Sequence, residues 1–402
     1  MPLRHLRALM RCQRGIALPM AMLTLVMLSA LVIAFSMLAA SEPVIASNQL
    51  QVAQARAVAE SGVERAIWAL NNPTDTNGIP NPLVTPAAPY DGSSTTAVMR
   101  NGVQVGVYTV SVANGALPNE RVIVATGWAP SNTGSGIVKQ KIQATVIQFL
   151  FSGFPPPGAL TVRGEISAGG NTLIDSRSDT SCGNKAGTYS QGYTTFDGSA
   201  SIYGADGNNT MNQGTDVVQN VPDADFDQYT LKNADLDALK KYAKANGTYY
   251  QGAVTFNAGN QMPNGVIFVD TISGSNIDVN GANTTPSSDM ASVVIHGSAP
   301  SSADGIFHGL LIVNGSLSIS GDFQMYGLVY ATNDFTYTGT GTGQIVGAVV
   351  SRNIRDTSST TIDTNTGGNA SIIYNCSYAK TGGGQIPPGF LPEKGTYKEI
   401  SG

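Results

Sequence analysis

Charge is scarce in this chain. Asp, Glu, Lys and Arg make up 12% of its 402 residues, against roughly 25% in an ordinary soluble domain. The formal net charge is −5. Without the four arginines that precede residue 16, 18 basic residues face 27 acidic ones, a formal −9. That balance argues against a nucleic-acid binder, which would show a basic face, while leaving room for a local basic patch. Only His296 and His308 lie beyond residue 15. Their spacing is not that of metal ligands, so a catalytic zinc or a His-based triad has little support. Other motifs lack the residue that would make them work. Asp223-Ala224-Asp225-Phe226-Asp227 opens like a calcium loop, but Gln228 and Ala234 stand where that loop needs Gly and an acid. Helix N-terminal acids are the plainer reading, with another type of calcium site left open. Gly339-Thr340-Gly341-Thr342-Gly343 has no following Lys-Ser/Thr and reads as a turn. Arg352, Arg355, Asp356 and Asp363 could be put forward as a glycan-cleaving set, yet loop charges of this kind usually only solvate. No catalytic residue, cofactor or metal is expected.

Acids are missing altogether before Glu42, where the chain is instead greasy. Ile16 to Ala40 is an uncharged run of 25 residues interrupted only by Pro19, Thr24, Ser29 and Ser36. About 20 such residues in a helix span a bilayer core. Arg4, Arg7, Arg11 and Arg14 precede the run, so the positive-inside rule keeps the N-terminus cytoplasmic and translocates the chain beyond about residue 41. A signal peptide, a plain anchor and a core helix are the alternatives. The run is too long for the first, although Ala39-Ala40-Ser41 could pass for a cleavage site. A core helix rarely goes so far without charge. Ile16, Leu18, Leu23, Leu28, Ile33 and Ala40 mark the membrane anchor.

The helical pattern continues past the apolar run. Val52, Ala55, Ala59, Val63, Ile67 (with Ala66) and Leu70 recur at spacings of three and four, which puts them on one face. Pro43 lies inside this pattern and should kink or loosen it. Carried to Leu70, the helix would be roughly 80 Å long at about 1.5 Å per residue.

The Arg14-Gly15-Ile16-Ala17-Leu18 junction, with its basic leader, resembles the start of type IV prepilins, and more closely that of the PilX-type minor pilins. Ala59-Glu60-Ser61-Gly62-Val63-Glu64 matches a second stretch of the latter. The resemblance implies cleavage between Gly15 and Ile16 by a prepilin peptidase, methylation of the new N-terminus at Ile16, and assembly with other pilin subunits through the helix. It implies residence in the bacterial inner membrane before assembly, then in an extracellular filament. The chain departs from the bulk pilins at the fifth mature position. They carry Glu there, which neutralises a neighbour's terminal amine, and here Met20 stands instead. That suits a minor or tip-proximal subunit. A subunit of a type II secretion pseudopilus and a membrane-anchored adhesin or glycan-active protein are the alternatives. A surface glycan or protein ligand is an expected partner; nucleic acid is not.

The fold class expected is α+β: a long N-terminal helix, a small antiparallel β head, then a mainly-β module. Residues 1–15 form the leader, 16–72 the helix and 73–152 the head. Strands are expected near 102–112, 121–128 and 137–149, with alternation that wets one face and packs the other on the helix. Residues 153–158 are a proline-rich linker, 159–390 the β module and 391–402 a C-terminal tail. Within the module, stretches beginning at Gly265, Ser292, Gly309, Gly327 and Gly347 are alike, and the last three start 18 and then 20 residues apart. Gly158–Gly164 and Gly315–Gly321 look like further sides of the same coils. Coils of a parallel β-solenoid account for the spacing, with a glycine-rich sandwich as the alternative. Residues 222–246 read as one amphipathic helix, with Leu231, Leu236, Leu239 and Tyr242 on one face and Lys240, Lys241 and Lys244 near its end. It is expected to cap or flank the coils. Cys12 leaves with the leader, and Cys182 and Cys376 are either a disulfide or two separate buried thiols.

Overall fold

The structure is a computed structural model that describes residues 17–80, 88–148, 155–206, 208, 210–275, 277, 285–353, 363–385 and 389–400. It opens with one helix, α1 (Ala17–Asn71), which carries Pro43 in its interior. From Ala55 onward the helix packs on a sheet through Ala55, Val58, Ala59, Gly62, Val63, Ala66, Ala69 and Leu70. Two expected face residues fall outside this stripe. Val52 is exposed, and Ile67 is half-buried against the head's core.

The head sheet is antiparallel and follows chain order through β1 (Thr96–Arg100), β2 (Val103–Asn114), β3 (Glu120–Ala129) and β4 (Val138–Gln148). Strand β1 was not among the strands expected. Its signal is Asn101-Gly102, both with positive φ, the pair that closes a two-residue hairpin. The sheet meets the helix at two glycines. A Cβ on Gly127 would strike the backbone of Ala55 and Ala59, and one on Gly106 would strike Val58.

Between β4 and the end of the chain lies the large module. Its first coils are β5 (Gly158–Val162), β6 (Ile166–Ala168), β7 (Leu173–Asp175), β8 (Ala186–Ser190), β9 (Thr194–Phe196), β10 (Ser201–Tyr203) and β11 (Val217–Val218). Two helices follow, α2 (Asp223–Asp227) and α3 (Asn233–Asn246). Then come β12 (Tyr249–Gln251), β13 (Ala253–Phe256), β14 (Gly265–Asp270), β15 (Ala291–His296), β16 (Ile306–Val313), β17 (Gly315–Gly321), β18 (Gln324–Ala331), β19 (Phe335–Gly339), β20 (Gln344–Ser351), β21 (Thr364–Gly368) and β22 (Ser371–Tyr374). From β14 to β22, successive strands alternate between two wholly parallel sheets, the winding of a solenoid.

The first of these sheets is keyed by a column of glycines. Gly265 pairs with Gly309, Gly309 with Gly327 and Gly327 with Gly347. At Gly327 and Gly347 φ is +151° and +144°, and a Cβ on either would run into the carbonyl of the glycine one coil before. Ahead of the column the strands alternate between buried and half-buried residues; after it every residue is buried. Both faces of that half are covered, as expected of continuous apolar runs in parallel strands. The stretch at Ser292, which resembles the others in composition, belongs to the opposite sheet, as β15. That sheet keeps the clean alternation of a half-wet surface, as in β17 and β19.

Stacking order is not chain order. The first coil in the chain sits on the last: Leu160 pairs with Val349, Ile166 with Thr364 and Leu173 with Ser371. Residues 223–247 carry the chain from the β8–β11 end of the stack to the β12–β13 end. This segment is two helices rather than one, with Leu231 in the link, still buried with Leu236, Leu239 and Ala243 in the module's core. It therefore runs alongside the stack. Gly247, with φ +73°, ends it. Cys182 and Cys376 are bonded, Cα atoms 6.0 Å apart, joining the β7–β8 loop to a last helix, α4 (Cys376–Thr381).

The C-terminal residues do not form a free tail. Strands β23 (Phe390–Pro392) and β24 (Lys398–Glu399) both pair antiparallel with β4, and Phe390 lies in the head's core. The head thus extends to residue 399, and the solenoid is an insertion between β4 and β23. Phe390 pairs directly with Gln148, so the chain leaves and rejoins the head at neighbouring points.

Candidate anchor and assembly helix

The functional candidate is the N-terminal half of α1. It is long and apolar enough to cross a membrane, and its described side chains from Leu18 to Leu50 are exposed. Leu18 is 73% exposed, Leu23 59%, Leu28 64% and Ile33 58%. Ala40 lies within the helix. Met20 is exposed as well. An apolar surface of this extent, about half the helix, requires lipid or protein against it.

The few polar groups in the run are satisfied within the helix. Thr24 donates to the carbonyls of Met20 and Ala21, Ser29 to Leu25, Ser36 to Val32 and Ser41 to Leu38. Each hydroxyl bonds one turn back, so none presents an unpaired donor to a hydrocarbon phase. Gly15, Ile16 and the leader arginines Arg4, Arg7, Arg11 and Arg14 lie outside the described residues.

The lower half of α1 is tied to the head, and the inserted module is tied to the head separately through α3. Asn71, the last helical residue, accepts the Phe390 N–H at 2.5 Å and donates to the Phe390 carbonyl at 3.2 Å. Arg56 pairs with Glu60 at 3.0 Å and with Glu399 at 3.2 Å. All three are well exposed, so these ion pairs add little stability. The contact from α3 to the head is less exposed. Lys241 reaches Glu120 at 2.8 Å and Glu393 at 3.0 Å. Burial pulls its pKa down, but the two carboxylates outweigh that and hold it above the ordinary lysine value.

Among the described residues singled out from the sequence, each has its own local partner. Arg352 is buried against Tyr330. Asp363 is also buried, with its carboxylate accepting the Glu165 N–H at 2.8 Å. Arg355 and Asp356 lie outside the described residues. His308 pairs with Asp304 at 3.0 Å, and His296 meets Ser320 at 3.1 Å, on different sheets. Asp223 sits in the first turn of α2 and pairs with Arg163 at 3.1 Å. Among the described residues no group of three or more His, Cys, Asp or Glu could hold a metal ion.

No family model matches the sequence, and no curated protein matches it. Among solved structures, the chain is similar to the competence-associated pilin ComZ from Thermus thermophilus. The two are 14% identical, the alignment covers 88% of this chain and 97% of that one, and the TM-score is 0.20. At that score the overlay fixes no correspondence between the two backbones.

Proposed function

We propose that this chain is a minor subunit of a type IV pilin-like filament. In this reading a prepilin peptidase cuts after Gly15 and the N-terminus at Ile16 is methylated. The apolar half of α1 anchors the subunit in the inner membrane and then packs among the helices of sister subunits. The head and its inserted solenoid are carried outside the membrane, where the solenoid serves adhesion or another presentation role rather than catalysis. The observation that carries the proposal is a single helix with two unlike halves. One half is apolar on every side and unpartnered; the other is locked to a β head through a stripe of small residues. A signal peptide would not continue into a head-packed helix, and a simple anchor would not need to. The Gly15–Ile16 junction and the missing Glu at Met20 fit a minor subunit best.

The test is to shear filaments from cells that express the chain and probe the sheared fraction and the inner membrane with an antibody to the solenoid. The proposal expects signal in both. Signal in the membrane alone, with a secretion defect on deletion and normal filaments, would favour a secretion pseudopilus. Release of the head by cleavage near Ala40 would contradict both.

A further inference from the structure

Beneath α3, three side chains of complementary chemistry meet at one corner of the solenoid, two of them fully buried. Lys240 Nζ lies 2.5 Å from Asp270 Oδ2 and donates to the Gly274 carbonyl at 2.7 Å. The other carboxylate oxygen, Asp270 Oδ1, accepts Asn314 Nδ2 at 2.7 Å. Tyr249 donates its hydroxyl to Oδ2 at 3.0 Å, and the Thr271 N–H donates to Oδ1 at 3.0 Å. Asp270 is 0% exposed and Asn314 1%, and the Lys240 side chain is 12% exposed. Asn314 Oδ1 is buried with no hydrogen-bond partner.

The fold fixes this arrangement. Val269 pairs with Val313 on β14 and β16, so Asp270 and Asn314 stand side by side one coil apart. Helix α3 lies over that edge and lowers Lys240 onto it. The result is an amine, a carboxamide and a carboxylate held between them, one nitrogen on each oxygen. A carboxylate so placed can carry protons between an attacking and a leaving nitrogen.

We propose that Lys240 and Asn314 become joined by an amide bond between Nζ and Cγ, with Asp270 as the proton carrier. Asp270 first takes a proton from the Lys240 ammonium, which neutralises two buried charges at once. The free amine then adds to Asn314 Cγ, and charge develops on the unpartnered Oδ1. Asp270 gives its proton to Nδ2 and takes one from the attacking nitrogen. The Cγ–Nδ2 bond breaks, the carbonyl re-forms and ammonia departs, leaving as ammonium with the proton that Asp270 held. One C–N bond forms and one breaks, and no oxidant or activated co-reactant is required. The link would fasten the α2–α3 crossover to the second coil in from the β12–β13 end, where a stack of coils would otherwise begin to fray. A head carried on a filament is pulled, and a covalent tie at that end resists peeling.

The test is the intact mass of the full-length protein, extracted in detergent and disulfide-reduced, together with a peptide map. The expected result is a chain lighter by one ammonia molecule, with a branched peptide joining the Lys240 and Asn314 fragments. The Lys240→Arg variant, which keeps the charge pair but cannot form this link, should have its full mass. The Asp270→Asn variant, checked for folding by circular dichroism, should also be unlinked. Full mass in the unsubstituted protein would overturn the proposal. So would equal ammonia loss from Lys240→Arg, because Asn314 precedes Gly315 and can lose ammonia by closing on its own backbone. A branched peptide in folded Asp270→Asn would refute the carrier role.

Discussion

The side chain of Asn71 and the backbone of Phe390, 319 residues apart in sequence, hydrogen-bond to each other in both directions, at 2.5 and 3.2 Å. The last residue of the long helix thereby holds the first residue of the returning strand. Replacing it with Ala removes a donor and an acceptor and leaves the Phe390 N–H and carbonyl short of partners. We expect Asn71→Ala to cost roughly 1–2 kcal/mol. Limited proteolysis should then release the 390–400 segment before the solenoid is cut.

Lys241 is a second tie, this time between the crossover helix and the head. Lys241→Met would leave Glu120 and Glu393, both buried, facing one another without their shared cation. An unpaired buried charge is costly, but the lysine is itself 38% exposed. The expected loss is therefore about 1–3 kcal/mol, less than for a fully buried pair. Urea unfolding followed by Trp fluorescence, sensitive to Trp68 and Trp128 beside the head, is the measurement.

The glycine column makes a prediction that a glycine of the opposite sheet controls. Gly327→Ala places a Cβ where φ is +151° and against the Gly309 carbonyl. Strain of this kind costs about 1–3 kcal/mol before any clash is counted. Gly367, on the opposite sheet, has nothing within 4 Å of a built Cβ and no unusual φ. Gly367→Ala should fall within about 0.5 kcal/mol of the parent. Thermal midpoints of the two variants should differ accordingly.

These glycines also show how far the sequence was readable. The four glycine-led repeats that register in one sheet were visible, because a close approach between coils leaves glycine as the residue that fits. Ser292 resembled them in composition but not in role, since composition does not say which of two sheets a strand joins. The long apolar helix, the head strands β2 to β4 and most of the helix stripe that packs on them were legible through hydropathy and periodicity. The return of residues 390–399 to the head was not, because strands of two or three residues carry no period. Nor was the stacking of Leu160 on Val349, a contact between distant segments that local pattern cannot encode. The break between α2 and α3 was hidden by Leu231, whose spacing fits a helix although its backbone does not continue one. The Lys240–Asp270–Asn314 meeting depends on register across two coils and could be found only in the structure.

Asp235, at the start of α3, gives the pH dependence. Burial pushes its pKa up to about 6 from 3.8, and the hydrogen bond from the Lys232 N–H only partly offsets this. The folded state therefore holds the proton more tightly than the unfolded chain. This contribution grows as pH falls from about 6 toward 3.8 and is absent above 6, where the native state carries a desolvated charge. The effect is of order 2–3 kcal/mol. Asp235→Asn should be more stable than the parent at pH 7.5 and should lose this acid-side gain. Unfolding midpoints measured from pH 4 to pH 8 will check the sign.

The central claim is that α1 begins at a processed end and crosses the membrane as a free apolar rod before it meets its head. The most direct measurement is peptide mapping of the N-terminus of the protein recovered from membranes and from sheared filaments. The account predicts a first residue at Ile16, carrying a methyl group, in both fractions. Recovery of the protein in the soluble cytosolic fraction with Met1 still attached would contradict it.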